Sequence, residues 1–134
     1  MREFKLPYGK EKMVLKVEED HLGGVLVSKI HDYDHGKSGE ELVREAVEKP
    51  IGTPRLKDMA EGKKKIVVIS SDHTRPVPSH IIMPVILEEI RKGNPDAEIT
   101  ILVSTGLHRA TTKEELIGKY GEKICSREKI VVHD

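Results

Sequence analysis

The stretch "KIVVISSDHTRPVPSH", residues 65–80, decides the fold. It opens on an unbroken run of β-branched apolar residues, Ile66 to Ile69, the pattern of a parallel strand buried on both faces. It then sets a carboxylate, an imidazole, a hydroxyl and a guanidinium on four consecutive positions, Asp72 to Arg75, and stiffens the loop with Pro76 and Pro78. Helical spacing follows at once, with Ile82, Ile86 and Ile90 in one row and Gly93 as the stop. A buried strand, a polar turn and a helix, in that order, form the first half of a βαβ unit.

Downstream residues complete the unit. "AEITILVST" (97–105) predicts a second buried strand, and Thr112 with Glu115 forms a capping box that opens a helix in "KEELIGKYG". "EKIVVHD" (128–134) predicts a third strand. This alternation predicts parallel strands joined by right-handed crossovers, a Rossmann-like open α/β sheet with flanking helices. Pro84 falls inside the helix over 79–92, where it removes a backbone hydrogen bond and crowds the His80 carbonyl, so a bend is expected over 80–84.

Upstream, "EFKLPYGKEKMVLKV" alternates around Gly9 and Lys10 and predicts a small N-terminal β-hairpin over 3–8 and 12–18. "GGVLVSKI" (23–30) reads as a further short strand and "HDYDHGKSG" (31–39) as a loop. Ser38 and Glu41 make a second capping box, and Leu42, Val43, Ala46 and Val47 carry a helix that ends before Pro50. "GTPRLKDMAEG" predicts a short helix capped by Thr53, with Pro54 first and Gly62 past its end. One domain over 1–134 is expected, with the hairpin region over residues 1–30 and the α/β core over 40–134.

Composition narrows the function. Lys plus Arg and Asp plus Glu cancel at 23 each, so no net field draws the chain to nucleic acid or membrane. With no Trp, one Phe and three Tyr, it also lacks stacking platforms for bases. Cys125 is the single cysteine, which excludes an internal disulfide and a cysteine-based zinc cage. The N-terminus lacks a signal-peptide pattern and no segment reaches membrane-spanning length, so a soluble cytoplasmic protein is expected.

In an open parallel sheet, ligands sit beyond the carboxyl ends of the strands. Three such tips are expected to converge: Ser70 to Arg75, Ser104 to Arg109, and His133 with Asp134. The first suits an anion. Arg75 offers a planar fork for a carboxylate or phosphate, and Asp72 can fix that fork or accept a sugar hydroxyl. Ser71 and Thr74 add donors ahead of a helix N-terminus. At the second tip Gly106 permits a tight turn, and His108 is a candidate proton carrier. The competing reading makes Asp72 a helix cap and Arg75 a solvated surface charge. The histidines of "HDYDH" (31–35) invite a metal, but they sit away from the tips and read as solvated linker. "LGGV" (22–25) lacks the strand–turn–helix context of a dinucleotide fingerprint. His21, His80 and His133 read as bland.

Together "YGK" (8–10), "PIGTPRL" (50–56), "SDHTRPVP" (71–78), "LVSTGLHRATTKEEL" (102–116) and the terminal "VVHD" resemble the N-terminal domain of the lactate racemase family, the nickel-pincer-nucleotide enzymes. The resemblance implies the first domain of a two-domain isomerase, a racemase or epimerase that acts on a small 2-hydroxy acid. It implies a nickel pyridinium-3,5-bisthiocarboxylate mononucleotide as cofactor. By the same resemblance Asp72, His73, Thr74 and Arg75 contact the cofactor, Arg75 and His108 meet the substrate, and His108 is one of two acid–base histidines. The family's nickel-ligating histidine, cofactor-tethering lysine and second acid–base histidine have no counterpart here. None of these residues is therefore expected to ligate metal, and the chain is expected to hold half a site, inactive without a missing C-terminal domain, with the exposed face where that domain docks either apolar or driving self-association. The alternative is a stand-alone phosphate- or nucleotide-binding α/β module without catalysis; a third reading is a purely structural domain.

Overall fold

The structure, a computed structural model, describes residues 1–134. The chain divides into two compact units, Met1–Gly36 and Lys37–Asp134.

In the first unit, β1 (Arg2–Tyr8) and β2 (Glu11–Val17) pair antiparallel with Arg2 opposite Val17 and Tyr8 opposite Glu11. Gly9 takes φ +59, the left-handed conformation that lets a two-residue loop reverse the strands. The strand expected over 23–30 does not form. Those residues have no pairing partner, Leu26 and Val27 are exposed, and Ser28 instead caps a 3-10 turn over Lys29–Asp32 by accepting from the Ile30 amide. Loop residues follow, with Tyr33 tilted against His35 and the Asp34 side chain accepting from the Gly36 amide.

The second unit is the α/β core. Helix α1 (Gly39–Glu48) starts on the Ser38–Glu41 capping box. Helix α2 (Leu56–Ala60) begins later than expected: Arg55, not Thr53, is its cap residue, with no side-chain capping bond. Arg55 sends its guanidinium to Glu89 instead, at 2.7 and 3.1 Å from Oε1. Strand β3 (Lys65–Ser71), helix α3 (Ser79–Gly93), strand β4 (Glu98–Ser104), helices α4 (Lys113–Tyr120) and α5 (Glu122–Arg127) and strand β5 (Lys129–Val132) follow. Helix α3 runs without interruption through Pro84. The three strands pair in parallel, in the order β3–β4–β5.

Consecutive parallel strands with crossovers of one hand place every connecting helix on the same face. The core accordingly lies between that face and the helices. Ile99, Ile101 and Val103 of β4 meet Met83, Leu87 and Ile90 of α3 and Tyr120 and Ile124 of α4 and α5. The inward row of α3 is thus Met83, Leu87 and Ile90, whereas Ile82 and Ile86 are half-buried at its flank. The expectation that β3 is buried on both faces fails for the same reason. It is an edge strand whose outer residues Val67 and Ile69 are 57% and 73% exposed, and Ile69 shares a row with Leu102 and Val131. An apolar sheet face is left uncovered. No helix is long and apolar enough to cross a membrane.

Candidate active site

The register of the sheet brings the chemistry together. Ser71 lies opposite Ser104, so the segments that leave β3 and β4 start side by side. Beyond β4, the His108 amide donates to the Thr105 carbonyl at 3.0 Å, closing a turn through Gly106 at φ +59, and this swings His108 back over the β3 tip. The buried Thr105 hydroxyl donates to the His133 carbonyl and the His133 amide to that of Val103, tying the third tip to the second.

Asp72 is the centre of the arrangement. It is 2% exposed, and its Oδ1 accepts from the Thr74 hydroxyl at 2.7 Å and from the Thr74 amide at 3.1 Å. Its Oδ2 lies 2.5 Å from His108 Nδ1. The Thr74 hydroxyl bond, with the His108 ring also contributing against burial, holds the Asp72 carboxyl down at about 2. An ionised carboxylate only accepts, so Nδ1 of His108 carries the hydrogen. Thr74 Oγ1, 3.3 Å from the same nitrogen, has given its own proton to Asp72 and can only share that hydrogen as an acceptor. In the neutral ring the lone pair then falls on the other nitrogen, Nε2, of an imidazole that is 42% exposed.

Asp72 therefore fixes the imidazole, not the guanidinium as the sequence allowed, and it caps no helix, since the residue before α3 is Pro78. Arg75 has no side-chain hydrogen bond or ion pair of its own, unlike Arg44, Arg55, Arg91 and Arg109, each of which is neutralised by a glutamate. Arg75 and His108 line one cavity of about 520 Å³ between the tips, with Ser71, Asp72, Thr105 and Gly106. A second recess of about 300 Å³ is lined by His73, Arg75, His80, Glu115 and Lys119. Burial pushes the Lys119 ammonium down, and Lys119 donates to the Arg75 carbonyl at 3.5 Å. A larger groove of about 580 Å³ between α3 and α5 includes no strand-tip residue.

Three of the anticipated site residues, Asp72, Arg75 and His108, thus share one mouth, and a fourth, Thr74, is bonded to Asp72 beside it. The fifth, His73, turns away: its Nδ1 pairs with the Thr111 hydroxyl at 3.1 Å and lies 3.7 Å from Glu115. Thr111, Glu115, Lys119 and Tyr120, whose hydroxyl donates to Ser70 Oγ at 2.8 Å, escaped the sequence reading because their partners lie 38 to 50 residues away. Glu115 alone had a local signal, its capping box. No three His, Cys, Asp or Glu side chains converge as a metal-binding group.

Comparison with known proteins places the chain in a family. A family profile described as lactate racemase N-terminal domain matches residues 8–134. The chain is 49% identical over all 134 residues to a lactate racemase of Thermoanaerobacterium thermosaccharolyticum, of which it covers 32%. It is 48% identical over 128 residues to a lactate racemase of Lactiplantibacillus plantarum, covering 96% of this chain and 30% of that one. The lactate racemase apoprotein structure from T. thermosaccharolyticum superposes with a TM-score of 0.82 at 48% identity, over 99% of this chain and 30% of the other. The chain spans about a third of the length of these relatives. With a matching profile over nearly its whole length and relatives at half identity, the chain belongs to the lactate racemase N-terminal domain family.

Proposed function

We propose that this domain supplies one acid–base histidine and the carboxylate clamp of a 2-hydroxyacid racemase or epimerase, with lactate as the reference substrate. The observation that carries the reading is the pairing of an oriented imidazole with an unneutralised guanidinium in one mouth. Arg75 takes the substrate carboxylate in a bidentate grip, which brings the C2 hydroxyl toward His108. Nε2 of His108 accepts the hydroxyl proton, and Asp72 stabilises the imidazolium that results. Inversion at C2 would require the C2 hydrogen, lost as hydride while the hydroxyl proton goes to His108, to return on the opposite face with a proton restored to oxygen there, so a second acid–base group comes from the rest of the protein. That remainder packs in our reading on the uncovered sheet face of Val67, Ile69 and Val131, and the domain alone is inactive.

An anionic mononucleotide fits the donor set, because Arg75 is unpaired and Lys119 is held beside its backbone without a carboxylate partner. Asp72, Thr74 and Arg75, with the backbone of His73, are the residues that would hold the nickel-pincer nucleotide in this domain. When bound, that group supplies the hydride acceptor that makes the substrate hydroxyl acidic. Its metal ligand lies outside these residues.

The same unpaired Arg75 favours the second reading, a phosphate-gripping module without chemistry. Chiral analysis of D- and L-lactate with the intact, cofactor-loaded protein separates the two. Racemisation that disappears in His108→Ala, with circular dichroism unchanged, supports the enzyme. Undiminished turnover in His108→Ala removes this histidine from the reaction, and phosphate binding without turnover favours the module.

A further inference from the structure

The loop that carries His108 is long for the precision asked of it. Between the two buried threonines, Thr105 and Thr111, residues 106 to 110 are all exposed. Thr105 anchors the loop's start to the His133 carbonyl. At the other end, Thr111 is 6% exposed and its hydroxyl has one partner, Nδ1 of His73. Arg109 is held from its own side of the loop by Glu115, through contacts of 2.9 and 2.6 Å, and Glu115 also accepts from the Thr112 amide. Those bonds order the descent into α4, and Glu115 approaches the β3 tip only at 3.7 Å from His73 Nδ1, beyond hydrogen-bond distance. Side-chain links to His108 and to Thr111 therefore join the tips: Asp72, with the Thr74 hydroxyl at 3.3 Å, aims the His108 ring, and His73 holds, at Thr111, the backbone from which the ring is aimed.

We propose that His73 is a positioning residue, which through the Thr111 hydroxyl pins the far end of the His108 loop to the β3 tip so that Asp72 and His108 meet in one geometry. An aspartate bonded to a ring on an unpinned loop follows that ring over a range of positions. The same aspartate with the loop closed at both ends allows one. The side chain of His73, 16% exposed and turned toward Thr111 and Glu115, is engaged away from the mouth it borders. The kinetic arm of the test rests on the acid–base role given to His108 above; the spectroscopic arm does not.

The test compares Thr111→Val, Thr111→Ser, His73→Ala and the Thr111→Val/His73→Ala pair in the intact protein. Long-range proton–nitrogen spectra of the apoprotein read the His108 ring, and lactate turnover is measured after cofactor loading. Thr111→Val should broaden or shift the His108 ring signals and lower kcat about fivefold, the effect of one lost neutral hydrogen bond, with KM within about twofold. Thr111→Ser should keep the wild-type spectrum and rate. The double variant should cost no more than the worse single one, because both remove one link. Wild-type ring signals in Thr111→Val would overturn the proposal, as would additive losses. So would a His73→Ala variant that weakens binding of nicotinamide mononucleotide while Thr111→Val leaves it untouched, since His73 would then be reaching the ligand itself. A protein that racemises nothing defeats the enzymatic reading, yet its ring spectra still decide the positioning one.

Discussion

Asp72→Asn isolates the charge of the central carboxylate without changing its shape. In the native site Oδ1 takes both Thr74 donors and Oδ2 takes Nδ1–H of His108. An asparagine can keep its amide oxygen toward Thr74, but it then points an N–H group at His108 Nδ1, where two donors would meet head-on. The conflict is relieved only if the imidazole moves its hydrogen to Nε2, the nitrogen that should face the substrate. The base is thereby presented in the wrong tautomer, and the imidazolium loses its adjacent negative charge. Replacing a charge-assisted hydrogen bond by a neutral one is expected to lower kcat roughly 10- to 100-fold, with KM little changed because Arg75 still holds the carboxylate. Proton–nitrogen spectra of the apoprotein supply an independent reading: protonation at Nδ1 in the wild type and at Nε2 in the variant. A variant that keeps both the Nδ1–H tautomer and the native rate would refute the reasoning, because the carboxylate would then be setting neither.

Acid should unlock the same contacts. Asp72 and Glu115 both titrate at about 2, the first held down chiefly by Thr74 and the second chiefly by Arg109, from ordinary values of 3.8 and 4.5. Lowered folded-state values mean stabilisation that is complete above the ordinary values and lost as pH falls toward 2, so thermal midpoints should be flat from neutrality to pH 5 and drop below pH 4; a midpoint that does not fall there contradicts the assignment. Burial tends to push the Glu89 carboxyl up, and Arg55 and Lys92 more than reverse it. Arg55→Ala leaves this nearly enclosed carboxylate with Lys92 alone at 3.5 Å and should cost about 3 kcal/mol in urea unfolding; a loss typical of an exposed pair would show that Glu89 is solvated. Ile101→Ala, at a position with no exposed surface, should cost about 3 kcal/mol or more, whereas Ile69→Ala on the uncovered face should cost under about 1 kcal/mol in the isolated domain; equal losses would mean that the face is covered.

Much of the element order was legible because each element carries a local signature. The Ser38–Glu41 and Thr112–Glu115 boxes specify helix starts within four residues, and both are present with reciprocal bonds. The apolar runs of β3 and β4 and the turn at Gly9 are equally local. Where local signals competed, the reading erred. Apolar residues 25–27 found no neighbouring strand, and Thr53 caps nothing because α2 starts only at Leu56, after Arg55. The apolar run of β3 indicated a strand, but not that one of its faces lacks a helix.

Sequence by itself determined that a strand ends at Ser70, one residue short of the observed end at Ser71, that Asp72 to Arg75 lie just beyond it, and that His108 sits in the loop after a second strand, because hydrophobic period, caps and turn residues act over three or four positions. The tertiary structure decided who meets whom: Asp72 with His108 and not Arg75, His73 with Thr111, Tyr120 with Ser70. Those choices depend on sheet register and loop closure across more than 30 residues. A hydrogen bond tolerates only tenths of an ångström, and no short-range pattern fixes a position that finely across such a span.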